Sequence, residues 1–546
     1  MKAQLDKIKA LVRSEIDSYN VANPDVPITV QDVIRSIRSI DITLRPNQVE
    51  PVRLGIDYFK NAAPEVDIDH VIQDGETLQQ LSCTLGISIK QLNMIGGFTP
   101  GVRLIPGTRL RHRVFRPAII VAPTAFGKSI LIAKIAENID DKILIIQPNR
   151  ELLDQNFAKF IQLGVTYAGV FSASFNSRQI HDVTYATIES IYKLGAIFKS
   201  MGFTKIIIDE CHLYPRNMES MIGKFLKDSG ITHVLGLSAT PMKLQQLDWN
   251  GTTLTAAQML TNGCRPFFKD ILHVSQIRDM VEMEYWSKLK YDTQDVNLHE
   301  LRWKPNKGEY TDSSLDRVYE TNDIHGRIIE KLSENKDRKS VVVFVHSVDA
   351  AMRLENALGR NCSAAIYGTM PDHDRNKAIA DFKSGKIRVI FNVNILSHGF
   401  DYPGIDCVIT ARPTTSISLY YQQLGRGVRI YYGKENCLII DFSGNVQKFG
   451  KIEDLVFKKN NNKWELYNVI KQLTGVPIHR VGMEHKKLTE VIETYMEQKI
   501  MPMGEYAGIP INDLPPKYKK KIMDTFNWTK DTLWIREEII KNNYKC

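Results

Sequence analysis

The chain has 546 residues, 43% hydrophobic and 24% charged, with a formal net charge of +9. Seven scattered cysteines without a CxxC pair argue against a structural zinc site and a disulfide framework, and fit a reducing, cytoplasmic setting. The start is charged throughout, unlike a signal peptide, and no stretch reaches about 18 uncharged apolar residues, so no membrane span is expected. The basic excess leans toward polyanionic partners.

Residues 1–40 read as an N-terminal helical segment, with Leu5, Ile8, Leu11, Val12 and Ile16 at helical spacing. From 41 to 245, short apolar runs (AIIVA, ILIIQP, KIIIDE, HVLGLSAT) alternate with helical stretches. Continuous apolar strands alternating with helices predict a parallel sheet covered on both faces. A second alternating block spans 321–450, with strands SVVVFVH, AAIYG, VIFNVN, CVITAR and CLIIDF. The fold class expected is therefore α/β with two tandem parallel-sheet domains. An irregular connector, 246–320, joins them. The Lys/Asn-rich text after 450 (FKKNNNKW) reads as a linker or helical segment, 451–498, before a small C-terminal domain, 499–546. Residues 67–113 interrupt the first block.

Ile119–Ser129 runs a strand into a turn ending Gly127-Lys128-Ser129. That is the arrangement of a phosphate-binding loop: backbone N–H groups for the phosphates, a lysine for their charge, a hydroxyl for Mg2+. Ala122 stands where the usual pattern has its first glycine. The strand KIIIDECH ends in two adjacent carboxylates. Asp209 suits Mg2+ binding and Glu210 suits activating the attacking water. A third strand ends in Ser238-Ala239-Thr240, which taken alone reads equally as a small-residue turn. In YYQQLGRGVR, Arg426 and Arg429 lie three apart on one face of an expected helix, the spacing of a clamp for a phosphoryl transition state or of a solvated basic face.

In order, these motifs resemble the superfamily 2 helicase core, which implies two RecA-like domains with ATP between them. TLRPNQ resembles the Q motif, which implies that Arg45 and Gln48 read adenine. APTAFGKS resembles motif I, which implies phosphate contacts by Thr124, Ala125, Phe126, Gly127, Lys128 and Ser129. PNRELLDQ resembles motif Ia and ATIES motif Ib. DECH resembles motif II, SAT motif III and QQLGRGVR motif VI, while VVVFVHS sits where motif IV is expected. NVNILSHGFDYP resembles motif V, in which Gly399 and Asp401 are further ATP contacts. By this resemblance Lys128, Asp209, Glu210, Gln422, Arg426 and Arg429 are catalytic, and Ser129 and Asp209 hold Mg2+. Arg150, Glu151, Thr187, Asn394, Ser397 and His398 contact nucleic acid, while His212, Ser238 and Thr240 couple the two sites. Within the superfamily, Ile271–Asp292 and Leu438–Gly450 resemble segments of RadD-like proteins, with RecQ-type helicases the neighbouring group. The cysteine zinc region of those proteins is missing from this sequence.

Residues 67–113 resemble a LysM domain through GETL (Gly75–Leu78), LGIS (Leu85–Ser88), QLN (Gln91–Asn93) and IPGTRL (Ile105–Leu110), which implies a small βααβ unit. LysM domains bind N-acetylglucosamine polymers. Arg103, Arg109, Arg111 and Arg113 suggest instead a module for nucleic acid or a protein partner. The tail from Met501 resembles a small uncharacterised domain and carries a basic cluster at Lys517, Lys519, Lys520 and Lys521. The expectation is an ATP- and Mg2+-dependent DNA helicase or translocase acting on single-stranded, forked or branched DNA. Its protein partners would bind through the insertion or the tail, and no membrane is involved. The rivals are an RNA helicase, the motor subunit of a nuclease complex, and a glycan-binding or scaffold protein.

Overall fold

The computed structural model describes residues 43–61, 65–85, 89, 92–93, 104–162, 168–214, 220–231, 233–249, 252–262, 266–302, 308–395, 402–460, 463–469, 471–477, 481, 499, 511–525 and 533–543. The expected helices of 1–40, and Ser397, His398, Gly399 and Asp401, lie outside the described residues. By internal packing the chain divides into two units, Met1–Pro64 with Gly127–Gly236, and Glu65–Phe126 with Leu237–Cys546.

Three strands come first: β1 (Glu65–Val71), β2 (Arg109–Phe115) and β3 (Ala118–Val121). They belong to the second unit. The first unit then contributes β4 (Lys142–Gln147), β5 (Ala168–Ser172), β6 (Ser177–Arg178), β7 (Val183–Thr187), β8 (Phe203–Ile208) and most of β9 (His233–Ser238). Their order is β9-β8-β4-β7-β5-β6, parallel except for the short β6 at the edge. Ile143, Leu144, Ile145, Ile206, Ile207 and Leu235 are fully buried, as expected of strands covered on both faces. Phe198 sits at the centre of an edge-to-face cluster with Phe171, Phe203 and Phe225, at centroid distances of 5.9, 5.1 and 5.6 Å. The helix Met221–Ser229 has clear local causes. The Ser220 hydroxyl accepts a hydrogen bond from the Gly223 N–H, and Gly230 ends the helix at φ 61°, where a side chain would be strained. The helix Pro46–Lys60 is fastened to β9 through Tyr58. Its hydroxyl donates to the Val234 carbonyl (3.0 Å) and accepts from the Val234 N–H (3.1 Å).

In the second unit, β1 and β2 form an antiparallel ribbon. With the helix Leu78–Leu85 they enclose a small core of Ile72, Leu81, Leu92, Leu104 and Leu110. The outer strands and first helix of the expected insertion are present, while most of its second helical stretch lies outside the described residues. The ribbon register sets Asp69 opposite Arg111 and Asp67 opposite Arg113. β10 (Met242–Trp249) and β11 (Thr252–Met259) form a hairpin, β12 (Asp270–Val274) lies parallel to β3, and β13 (Lys288–Thr293) enters a second sheet. The connector expected to be irregular therefore carries the end of β10, the strands β11, β12 and β13, and two helices, Ile277–Glu282 and Asp312–Thr321, among its described residues. Its apolar residues are few and spaced by polar ones, which hides half-buried and edge strands from a search for continuous apolar runs.

The second sheet adds β14 (Val341–Phe344), β15 (Ser363–Ile366), β16 (Val389–Asn392), β17 (Cys407–Thr410) and β18 (Asn436–Asp441). All six strands are parallel, in the order β13-β18-β17-β14-β16-β15. The chain is thus α/β with two RecA-like domains. β19 (Leu455–Asn460), β20 (Lys463–Asn468) and β21 (Lys471–Gln472) form an antiparallel meander. Over 455–472 this corrects the reading of 451–498 as a linker or helical segment; residues 478–480 and 482–498 lie outside the described residues. Leu455, Phe457, Leu466 and Asn468 are buried at the base of the hairpin, while Lys458, Lys459, Asn460 and Lys463 are exposed toward its tip. Lys517, Lys519 and Lys520 lie on the helix Pro516–Thr525. Among the described residues, no helix is long and apolar enough to cross a membrane.

Candidate nucleotide site

The helix Lys128–Glu137 begins at Gly127, which has φ 95°. Ala125, two residues earlier, also has a positive φ of 63°, uncommon for a residue with a side chain. This turn aims the start of the helix, with its free N–H groups, at the space where a phosphate would sit. The backbone at φ 95° favours glycine there, and a Cβ on Gly127 would come within 2.7 Å of the Gln48 amide nitrogen, so Gln48 would have to shift. Gln48 is buried, and its Oε1 accepts the Arg45 N–H at 2.9 Å. Gln48 therefore packs on the turn that leads into Lys128.

Within the first unit, Lys128, Asp209 and Glu210 converge. The Lys128 ammonium is ion-paired with Glu210 Oε1, and His212 Nδ1 lies 3.4 Å from Glu210 Oε2. Glu210 has φ 45°, so the carboxylate pair ends the strand on a bent backbone. Burial disfavours the Lys128 charge, but Glu210 and Asp209 outweigh it and the net shift is upward. Burial pushes Asp209 up to about 6, against the opposing charge of Lys128. A buried cation with two carboxylates is a site with one negative charge in excess, matched to a divalent ion once a nucleotide takes over the lysine.

Asn156 was missed by the sequence reading. Its Oδ1 accepts the Ser129 hydroxyl at 2.7 Å, and its amide donates to Asp209 Oδ2 at 3.0 Å and Gln147 Oε1 at 3.0 Å. One buried amide thus bridges the two residues expected to hold Mg2+. Nothing about an asparagine inside an amphipathic helix flags this in advance. Asn156→Ala should cost roughly 1–3 kcal/mol, because the Asp209 carboxylate and Ser129 hydroxyl each lose a buried partner. Urea unfolding of the variant, read against Asn156→Gln, checks it; an unchanged midpoint would refute the assignment.

Within the second unit, Thr124 of the phosphate loop is held at both backbone groups. Its N–H donates to the Tyr421 hydroxyl at 3.1 Å, and its carbonyl accepts the Trp286 indole N–H at 2.9 Å. A Cβ on Gly425 would lie 3.0 Å from the Thr124 hydroxyl, so close approach explains that glycine. Tyr421 belongs to the helix Ile417–Leu424, on which Gln422 is also buried. That helix ends at Leu424. Arg426 and Arg429 are not on its face but in the following turn, a correction to the expected spacing. Two glycines, poor helix formers, follow: Gly425 is the C-cap residue, and Gly427 packs against Cys437 and Val408 too closely for any side chain. The turn is stapled. Lys434 Nζ donates to the carbonyls of Gly427 (2.7 Å) and Arg429 (2.8 Å), and Ser287 Oγ also donates to the Arg429 carbonyl (3.0 Å). Burial draws the Arg429 guanidinium down to about 10, still a cation at neutral pH.

The remaining expected residues are dispersed. Arg150 and Glu151 are exposed at the start of the helix Arg150–Gln162, with the Arg150 guanidinium 5.3 Å from the Phe175 ring centroid. Thr187 is buried, its hydroxyl 3.0 Å from Ser190 Oγ. Asn394 has φ 62° and accepts from Arg412. Ser238 Oγ accepts the Thr240 N–H at 3.0 Å, and Ala122 N–H donates to the Ser238 carbonyl at 3.0 Å, so the Ser-Ala-Thr turn sits beside the phosphate-loop strand. His212 is buried next to Glu210. Phe126 is fully buried.

Residues 72–243 match the type III restriction enzyme res subunit family, and residues 324–431 match the helicase conserved C-terminal domain. The chain is 25% identical over 328 residues to a 51.5 kDa protein of a Lactococcus phage, covering 59% of this chain and 65% of that one. It is 27% identical over 272 residues to a Saccharomyces cerevisiae chain named as a candidate ATP-dependent helicase, IRC3, covering 48% of this chain and 37% of that one. It is 22% identical over 342 residues to the type I restriction enzyme EcoAI endonuclease subunit of Escherichia coli, covering 56% and 40%. The chain spans less than two thirds of the length of each of these relatives.

Proposed function

We propose that this chain, which carries the core of a superfamily 2 helicase and is a nucleic-acid-dependent ATPase, moves along DNA and remodels single-stranded, forked or branched substrates. The observation that carries the reading is the Lys128–Glu210 pair with Asp209 beside it, at the N-terminus of a helix entered through Gly127. The family implies ATP and Mg2+, and the donor set fits both. Lys128 would neutralise the β- and γ-phosphates, and Ser129 and Asp209 would hold the ion, with Asn156 keeping them oriented. Bound Mg2+ supplies charge neutralisation on the phosphate oxygens. Glu210 would orient and deprotonate water once Lys128 turns from it to the nucleotide. Gln422, Arg426 and Arg429 would meet the transferred phosphoryl group, with Gly399 and Asp401 as further ATP contacts. Arg45 and Gln48 would line the adenine. His212, Ser238 and Thr240 would couple this chemistry to nucleic-acid contacts at Arg150, Glu151, Thr187, Asn394, Ser397 and His398.

DNA over RNA is supported by the RadD-like segments Ile271–Asp292 and Leu438–Gly450, and by the restriction-enzyme relatives. The RNA reading has its own support in a 21% identity over 403 residues to the ATP-dependent RNA helicase DBP3 of Eremothecium gossypii. A role in DNA repair or recombination, in the cytoplasm, follows from the DNA reading. The LysM-like insertion and the C-terminal module are the proposed sites for protein partners. ATPase measured against single-stranded, forked and four-way DNA and single-stranded RNA tests the proposal. Stimulation by branched DNA is expected; stimulation by RNA alone would replace DNA with RNA, and none by either polymer would sink the motor.

A further inference from the structure

The matched helicase regions end at residue 431, and the β19–β20 hairpin lies beyond them. Its tip is unusual for an edge of this chain. Lys458, Lys459 and Lys463 are exposed, and among the described residues no carboxylate forms an ion pair with any of them. The one acidic residue of the tip, Glu465, faces Lys458 in the register but is engaged elsewhere. Its Oε2 accepts the Asn460 amide at 2.9 Å and the Tyr467 hydroxyl at 2.7 Å. Two aromatic rings stand among the lysines. The Lys458 ammonium lies 4.9 Å from the Tyr467 ring centroid, and that of Lys459 lies 6.0 Å from the Trp464 centroid. The register puts Lys459 with Trp464 on one face of the ribbon and Lys458 and Lys463 with Tyr467 on the other, so each face sets a lysine that can meet a phosphate backbone beside a ring that an unpaired base can cover.

The ribbon is also held firmly at its base. The Gln276 side chain pairs with Phe457 as a strand would, donating to its carbonyl at 2.8 Å and accepting its N–H at 3.0 Å. The Asn262 amide donates to the Trp464 carbonyl at 2.8 Å, and the Gly475 N–H donates to Ala257 of β11 at 2.8 Å. These anchors come from the segment between the two parallel sheets, and Gln276 caps the short helix Ile277–Glu282 that leads to Trp286 on the phosphate loop. A mobile surface loop of the same composition would lose conformational entropy on binding; a ribbon already anchored at Phe457 and Trp464 loses less.

We propose that the β19–β20 hairpin binds single-stranded nucleic acid, its lysines on the phosphates and Trp464, on the face it shares with Lys459, beneath a base. This rests on the motor reading above and adds a contact outside the family's motifs. The test uses the full chain and a fluorescein-labelled single strand in anisotropy titrations across a range of salt. Lys458→Ala/Lys459→Ala/Lys463→Ala should weaken binding on the order of tenfold at moderate salt and lower the slope of log affinity against log salt by about 2. Lys→Arg at the same three positions should keep both, and Trp464→Ala should weaken binding by a further factor without changing the slope. ATP turnover without nucleic acid, and the melting midpoint, should stay at wild-type values. Unchanged affinity and slope in the triple alanine variant would overturn the proposal, as would a loss confined to blunt duplex. Failure of wild-type protein to bind or respond to any strand would instead sink the motor reading itself, so the two outcomes are separable.

Discussion

Glu210→Gln should bind nucleotide near normally yet lose nucleic-acid-stimulated ATP turnover, while Lys128→Ala should lose both. The two effects separate because the residues do different work in the same pair. Lys128 supplies the charge that phosphates need, and the other lysine of its helix, Lys134, lies in the last turn and is ion-paired with Glu137. Glu210 supplies a base, which its amide isostere cannot replace although it keeps the shape. The pair also makes opposite demands on folding. Lys128→Ala leaves the Glu210 and Asp209 carboxylates side by side without their cation, and uncompensated buried charge costs roughly 3 kcal/mol. Glu210→Gln leaves the Lys128 ammonium facing Asp209 alone and removes one of two repelling acids, so it should unfold close to the wild type. Radiolabelled phosphate release, nucleotide binding by fluorescence and urea midpoints together read all three. Turnover near wild type in either variant would end the assignment of this cluster as the hydrolytic centre.

How much of this was legible beforehand depends on the kind of signal. Strands buried on both faces announce themselves, because Ile119–Val121, Ile143–Ile146 and Ile206–Ile208 have no room for polar residues. The Gly127-Lys128-Ser129 turn and the Asp209-Glu210 pair were legible because phosphate chemistry demands those residues in that order. What was hidden depends on distant neighbours. Asn156 matters through Ser129 and Asp209, which are 27 and 53 positions away. Trp286 matters through a carbonyl 162 positions away. The hairpin at 455–468 read as a linker because its strand alternation is short and its tip is lysine and asparagine, residues common to linkers and turns alike. Arg426 and Arg429 at a spacing of three suggested a helix face, but the helix ends at Leu424, ahead of two glycines that are poor helix formers.

That early end sets the other large effect. Arg426→Ala should lower stimulated turnover on the order of 10³-fold or more while leaving nucleotide binding largely intact, since a guanidinium that meets only the transferred group stabilises the transition state and little else. Residues on a helix face would be positioned by the helix; residues in a turn must be positioned by something else. Here it is Lys434, whose ammonium bonds the carbonyls of Gly427 and Arg429, with Ser287 on the second of these. Burial lowers the Lys434 pKa, against the opposing charge of Asp406. Lys434→Met keeps much of the volume and removes the staple. It should therefore lower turnover by a smaller factor than Arg426→Ala, and excess nucleotide should not restore it, because binding is not what fails. A general loss of folding would instead move the melting midpoint in proportion, and Lys434→Arg, which can still donate to two carbonyls, should recover part of the rate. Equal, wild-type turnover in Arg426→Ala and Lys434→Met would mean that this turn does not serve the hydrolytic centre at all.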